Sequence, residues 1–310
     1  MLLKIKLALT AFLITVMAGA QMPDDGFTMR KGELCLVAGF KQTKWKEYWE
    51  GERLRNNKNL GTFTSVQYMP MAGYGITDRL NVFAGLPYIN NSSSAGWMMP
   101  MQGWQDISLA LKYRVLEVKK SSMTYTLFGT ISGSLPSNKY VPDFLPFSIG
   151  TRSKTFSPRA IVHLRHKSNA FFTAQAGYVF RSNITVDRST YYTDEQFYSN
   201  EMAVPDVVDG SLKGGFANSR FRAYAVYSIM HSTSGSDIRR NDMPYPGNQM
   251  NMQTVGVHAL LWVPGINGLG LNAGAEQTIA GRNVGKAFMW TAALQYVFKP
   301  FAKKTASATN

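Results

Sequence analysis

Three observations in this 310-residue sequence predict an all-β fold, a transmembrane antiparallel up-and-down barrel of about twelve strands. A short apolar leader opens the chain, and no later apolar run is long enough for a spanning helix. The remainder alternates apolar and polar residues with period two, in segments of about ten to thirteen residues, the pattern of membrane-spanning strands. The connections between those segments alternate short and long, as barrel turns on one side of a membrane and loops on the other do.

The leader comes first. Residues 1–20 read MLLKIKLALTAFLITVMAGA: Lys4 and Lys6 form a basic start, Leu7 to Met17 a short apolar core, and Ala18-Gly19-Ala20 a small-residue cleavage signal. The apolar run falls short of the roughly 20 residues a spanning helix needs. Cleavage near Ala20 is therefore expected, with export and a mature chain beginning near Gln21. The chain divides into this leader, a barrel over 21–298 and a polar basic tail over 299–310.

Composition supports strands. Hydrophobic residues make up 45% and charged residues 17%, which suits neither a disordered chain nor a helical membrane protein. The 15 Tyr and 18 Phe favour strands and membrane-interface belts. The formal charge is +14, to which Lys4 and Lys6 of the leader and Lys299, Lys303 and Lys304 of the tail contribute. The remaining cations are spread thinly along strand-like segments rather than gathered on one helix, so no nucleic-acid partner is expected. Cys35 stands alone: it has no disulfide partner, lies too far from the leader to carry a lipid anchor, and reads as a small residue inside a strand.

The clearest strand is 104–115, where Ile107, Leu109, Leu111, Tyr113 and Val115 take one face and Asp106, Ser108, Ala110, Lys112 and Arg114 the other. A helix would place apolar residues at three- and four-residue steps instead. The same alternation places strands over 33–45, 61–74, 79–90, 122–134, 154–166, 171–183, 207–217, 220–233, 250–263, 268–280 and 285–298. Long connections are expected over 46–60, 91–103, 135–153, 184–206 and 234–249, and short ones over 75–78, 116–121, 167–170, 218–219 and 264–267. The connection over 281–284 is short and departs from this order. With both termini in the periplasm, every long loop lies outside. Leu294, Tyr296 and Phe298 end the last strand in the alternating aromatic pattern read by outer-membrane assembly machinery, although a tail follows here.

Residues 74–89, YGITDRLNVFAGLPYI, and 103–116, GWQDISLALKYRVL, carry a resemblance. The pairing of Y-G-I-T-D-R-L and L-P-Y with G-x-x-D-I-S-L-x-L-K-Y-R resembles the outer-membrane family named for the meta-pathway of phenol degradation, described as transporters. It covers about 45 residues in three strands. The resemblance implies an outer-membrane barrel active in uptake, with hydrophobic or aromatic solutes favoured.

Two groups of side chains are candidate sites. Arg79, Lys112, Arg114, Arg159, His163, Arg165, Arg181, Arg220 and Arg222, with Lys213, fall on predicted inner faces, most of them toward the periplasmic end. They read either as a basic constriction that attracts anions or as charges that fill a narrow lumen by pairing. Glu33 and Asp78 are the nearby carboxylates that the sequence places. The second group is Trp97, Met98, Met99, Met101 and Trp104, with Met243, Tyr245, Met250 and Met252 in another outer segment. These read either as an adaptable surface where an apolar solute is taken up or as an aromatic girdle with loop packing.

The histidines His163, His166, His231 and His258 sit in no recognisable nucleophile motif, and no metal or cofactor signature is present, so no catalytic residue is assigned. The acidic, aromatic stretch 191–198 reads as a loop tip. The expected function is passage of a small solute. The alternatives are a closed barrel that binds a partner through its outer loops and, behind it, a barrel lipid hydrolase.

Overall fold

The computed structural model describes residues 22–193, 195–239 and 243–301. The expected leader, and the tail beyond its first three residues, lie outside them. Twelve antiparallel strands run in chain order around a closed barrel. They are β1 (Leu34–Trp45), β2 (Phe63–Gly75), β3 in two pieces (Leu80–Gly85 and Tyr88–Ser93) and β4 in two pieces (Met101–Trp104 and Asp106–Lys120). Then follow β5 (Met123–Pro136), β6 (Thr155–His166), β7 (Ala170–Arg181), β8 (Val207–Ala217), β9 (Phe221–Ser232), β10 (Asn251–Trp262), β11 (Leu269–Arg282) and β12 (Phe288–Phe298).

Closure is made by β1. It pairs with β2 from Leu34↔Tyr74 to Trp45↔Phe63, and with β12 from Leu34↔Phe298 to Lys44↔Phe288. The sheet therefore has no free edge within the span, which is the condition for strands to cross hydrocarbon. Alternation sorts the side chains as expected. Leu109, Leu111, Tyr113, Val162, Leu212, Val257, Leu271 and Leu294 form part of an exposed apolar belt. Asn81, Lys112, Thr173, Thr278 and Gln295 are buried inside.

Two strands are interrupted where backbone donors are missing or displaced. β3 breaks at Leu86-Pro87, because Pro87 has no N–H to give the ladder. Neighbouring backbone bonds bridge the gap, from Leu86 N to Pro70 O and from Gln105 N to Pro87 O. The segment 116–121, expected as a turn, is mostly strand. A bulge between Arg114 and Leu116 brings Val115 and Leu116 to the same exposed face, and alternation then resumes through Val118. That slip in period is what made the strand seem to end early.

The short connections lie at one end of the barrel, the periplasmic end in barrels of this type, and the long ones at the other. The long loops carry small hairpins of their own, Glu47–Glu50 with Arg53–Asn56, Ile184–Thr185 with Glu201–Met202, and Tyr191–Tyr192 with Gln196–Phe197.

Val257, at the middle of β10 and 62% exposed, tests the belt. Replacing it by Arg should destabilise the refolded barrel by about 2–4 kcal/mol if it sits at the bilayer midplane. Denaturant titration in lipid vesicles reads this. A change near zero would place Val257 away from hydrocarbon.

Candidate functional site

The lumen is occupied by the chain that precedes β1. Backbone bonds from Gly32 N to Gly75 O and from Gly75 N to Glu33 O hold this segment at the periplasmic rim, and from there it turns into the barrel. Met29 pairs through its backbone with the Asn81 side chain, donating N–H to Oδ1 at 3.0 Å and accepting from Nδ2 at 3.1 Å. Its thioether packs in an inner apolar cluster with Cys35, Phe83, Ala110 and Val297. Asn81 thus serves as a piece of strand edge inside the lumen.

Further in, the segment wraps around one ammonium. Lys112 Nζ donates to Met22 O (3.1 Å), Asp25 O (2.5 Å), Phe27 O (2.7 Å) and Asp25 Oδ1 (2.8 Å). Its side chain is fully buried. A bare charge there would be prohibitive, so the surrounding oxygens are a condition of the fold. Asp25 is the counterpart node. Its carboxylate accepts from Met22 N, Phe27 N, Lys112 Nζ and, at 3.3 Å, Arg222 Nη1. Arg222 also lies over the Phe27 ring, its Cζ 3.5 Å from the centroid. Phe27 in turn meets the rings of His163 and Phe171.

Asp24 pairs with Lys213 at 2.7 Å, and Thr130 Oγ1 donates to Pro23 O. Burial disfavours the charge on Asp24, but the Lys213, Arg159 and Lys112 cations outweigh it and hold its pKa below the ordinary 3.8. Gly26 lies against the His163 imidazole so closely that a Cβ would overlap the ring. His163 itself is fixed by a 2.7 Å bond between Nδ1 and Thr173 Oγ1.

The basic cluster expected from sequence is therefore divided by the fold. Lys112, Arg222 and Lys213 bind the N-terminal plug, Arg159 pairs with Asp209 at 2.5 Å, and His163 packs on the plug. Arg114 and Arg165 face a cavity on the periplasmic side of the plug. Arg79 and Arg220 sit exposed in turns. Arg181 is at the outer end of β7, where its side chain donates to Pro205 O and its backbone N–H donates to Asp206 Oδ1.

Glu33 and Asp78 do not pair their carboxylates with the lumenal cations, although Arg114 donates to the Asp78 backbone carbonyl at 3.0 Å. Their carboxylates accept from the backbone N–H groups of Arg30 and Lys31 and shape the rim. The carboxylates that matter, Asp24 and Asp25, stand directly behind the leader. Two adjacent acids beside a strand set rich in inward cations were the available signal.

The outer mouth is narrowed by the loop between β5 and β6. Phe147 is completely buried, edge-on to Phe63 of β2, and Asn91 Nδ2 donates to the carbonyls of Phe147 and Ser148, both at 3.0 Å. Tyr140 Oη donates to Asp106 Oδ1 at 2.7 Å and accepts from Arg152 N at 2.8 Å. Burial, and then the hydrogen bond to Asp106 and its charge, push the Tyr140 phenol far above its usual range, so it remains a donor.

The plug separates two cavities. On its outer side a chamber of about 320 Å³ lies over Met22, Asp24 and Asp25. Val37, Met69, Met71, Val226 and Leu260 give it an apolar wall, and Gln175, Ser211, Ser228 and Glu276 a polar one. Glu276 is held by His258 at 2.9 Å, and the His258 ring stacks on Tyr224. On the periplasmic side a cavity of about 590 Å³ opens beneath Phe27.

Of the apolar outer group, Trp97 is fully exposed and Met99 nearly so at the tip of the loop between β3 and β4. Met98 and Met101 are half-buried, and Trp104 lies on the outer wall, edge-on to Tyr88. None of the five lines either lumenal cavity. Met243 and Tyr245 line a separate outer cleft with Arg188 and Tyr192.

No family model matches the chain, and no curated protein sequence does. Solved structures are similar in fold. The COG4313 outer membrane channel from Pseudomonas putida F1 superposes with a TM-score of 0.68 at 14% identity, over 90% of this chain and 100% of that one. The translocator domain of the autotransporter NalP from Neisseria meningitidis gives 0.48 at 10% identity, over 89% and 91% of the two chains. The NanC porin gives 0.46 at 8%, over 85% and 98%. The first of these shows the same barrel fold.

Two predictions follow from the plug geometry. Removing one partner of a buried charge pair costs about 3–5 kcal/mol, so Lys112→Met should release the plug, and Gly26→Val should displace it sterically. Both variants should raise single-channel conductance in planar bilayers while keeping the heat-modifiable gel migration of a folded barrel. Unchanged conductance in both would mean that the plug does not limit flow.

The Asp24–Lys213 tether has a pH signature. A carboxylate with a depressed pKa contributes stability above its ordinary 3.8, and loses it as pH falls through the lower folded value. Conductance should therefore stay flat from neutral pH through mild acid and rise only in strong acid. A rise centred near neutral pH would assign control to another group.

Proposed function

We propose that this barrel resides in the outer membrane and conducts a small apolar or aromatic solute, rather than serving as an open pore for hydrophilic ones. The observation that carries this reading is the chamber beyond the plug, of about 320 Å³ and walled on one side by Met69, Met71, Val37, Val226 and Leu260. Methionine side chains adapt to irregular apolar ligands, and the volume falls at the small end of ligand-binding cavities.

The four cations at and above the plug support the same reading, because Lys112, Arg222, Lys213 and Arg159 are engaged by Asp25, Asp24 and Asp209 rather than presented as an anion-attracting ring. The resemblance of residues 74–89 and 103–116 to phenol-pathway transporters favours an aromatic solute. A closed surface-interaction barrel is the competing reading, and transport separates the two.

Cells producing the protein should take up a labelled aromatic alcohol faster than cells without it. Liposomes carrying the purified barrel should swell no faster in sugar solutions than empty ones. Met69→Asp and Met71→Asp, which place charge on the apolar wall, should each lower aromatic uptake severalfold. Rapid swelling in sugars, or aromatic uptake indifferent to the protein, would overturn the proposal.

A further inference from the structure

The cavity on the periplasmic side of the plug has a different chemistry from the chamber. It measures about 590 Å³, and five permanent cations line it: Arg114, Lys119, Arg165, Lys167 and Arg222. Glu117 is the one carboxylate among its lining residues, and it is shared between Arg114 at 2.8 Å and Lys119 at 3.5 Å. Arg165 donates to a backbone carbonyl, that of Ala217, at 3.2 Å. Phe27, Phe128, Met123 and Trp262 supply an apolar surface in the same cavity. Cations in excess beside aromatic faces, in a concave site of small-molecule size, match a ligand with one anionic group on an apolar body.

The position of Arg222 adds a consequence. It lines both cavities, is 8% exposed, and its Nε–H is buried with no acceptor among the described residues. Its Nη1 is the more distant of the two cationic contacts of Asp25, at 3.3 Å against 2.8 Å for Lys112. An anion in the cavity can compete with Asp25 for the guanidinium.

We infer that the periplasmic vestibule is a binding site for an amphipathic monoanion in solution, a carboxylate carried on an aromatic ring or short chain. Arg165 and Arg114 hold the carboxylate, and the bound anion draws Arg222 away from Asp25. Binding is thereby coupled to the plug, and the coupling is reciprocal: whatever weakens the Asp25–Arg222 pair tightens the anion. The inference goes beyond the transport reading and does not require that the anion cross the barrel.

Calorimetric titration of the full-length folded protein in a non-ionic detergent tests it, with phenylacetate as the probe and 2-phenylethanol as its uncharged counterpart. Phenylacetate should bind saturably at one site per chain, more weakly as salt is raised, and the alcohol should not. Arg165→Gln should weaken phenylacetate about tenfold, as expected for loss of a charge-assisted hydrogen bond. Asp25→Asn should tighten it severalfold.

Equal binding of acid and alcohol, no saturable binding of the acid, or indifference to Arg165→Gln would overturn the site. Unchanged or weaker binding in Asp25→Asn would overturn the coupling. The acid–alcohol comparison uses the unaltered protein and stands even if a variant does not fold. Uptake through the chamber is read separately, so failure here leaves the transport reading intact, and the reverse.

Discussion

Backbone amides cannot be left unpaired in hydrocarbon, and the pairing of β1 with β12 is where this chain meets that constraint. Closure determines the rest in sequence. A closed sheet of twelve strands has one face toward lipid and one toward a lumen, so period-two alternation becomes an exposed apolar belt and a polar interior. A barrel of this size encloses a narrow lumen, and inward side chains such as Lys112 have no bulk water to satisfy them. Something must supply their counter-charges.

The segment before β1 supplies them. Its two acids and its backbone carbonyls converge on Lys112, Lys213 and Arg222, so the same groups that would be costly when unpaired fasten the plug. The plug is therefore more than an obstruction. It turns one lumen into two compartments that differ in charge balance, a partly apolar chamber on the outer side, where Lys213 and Arg222 face Asp24, Asp25 and Glu276, and a vestibule with cations in excess on the periplasmic side. Arg222 belongs to both, which makes it the residue through which a ligand on one side is felt on the other.

The outer mouth is narrowed by another device. Asn91 captures the carbonyls of the loop between β5 and β6, and Phe147 fills the space against Phe63. This closure is polar at its anchor and apolar at its centre, whereas the plug is ionic.

The strands, their faces and the sidedness of the loops were legible in the sequence, because side-chain direction along a strand is a local property with a period of two. Leu109, Leu111 and Tyr113 could be assigned outward, and Lys112 inward, from their spacing alone. The end of β4 is not legible there, because a bulge is set by the partner strand β5 and its cost is invisible in one strand's pattern. The pairing of the lumenal charges lay beyond the sequence altogether. Asp25 meets Lys112 across 87 residues and Arg222 across 197, and only closure of the barrel brings them within reach. By itself the sequence determined that this chain forms a barrel with a cationic interior. The tertiary structure decided that Lys112, Lys213 and Arg222 are neutralised from within, because a narrow lumen leaves buried charges no partner but the chain itself.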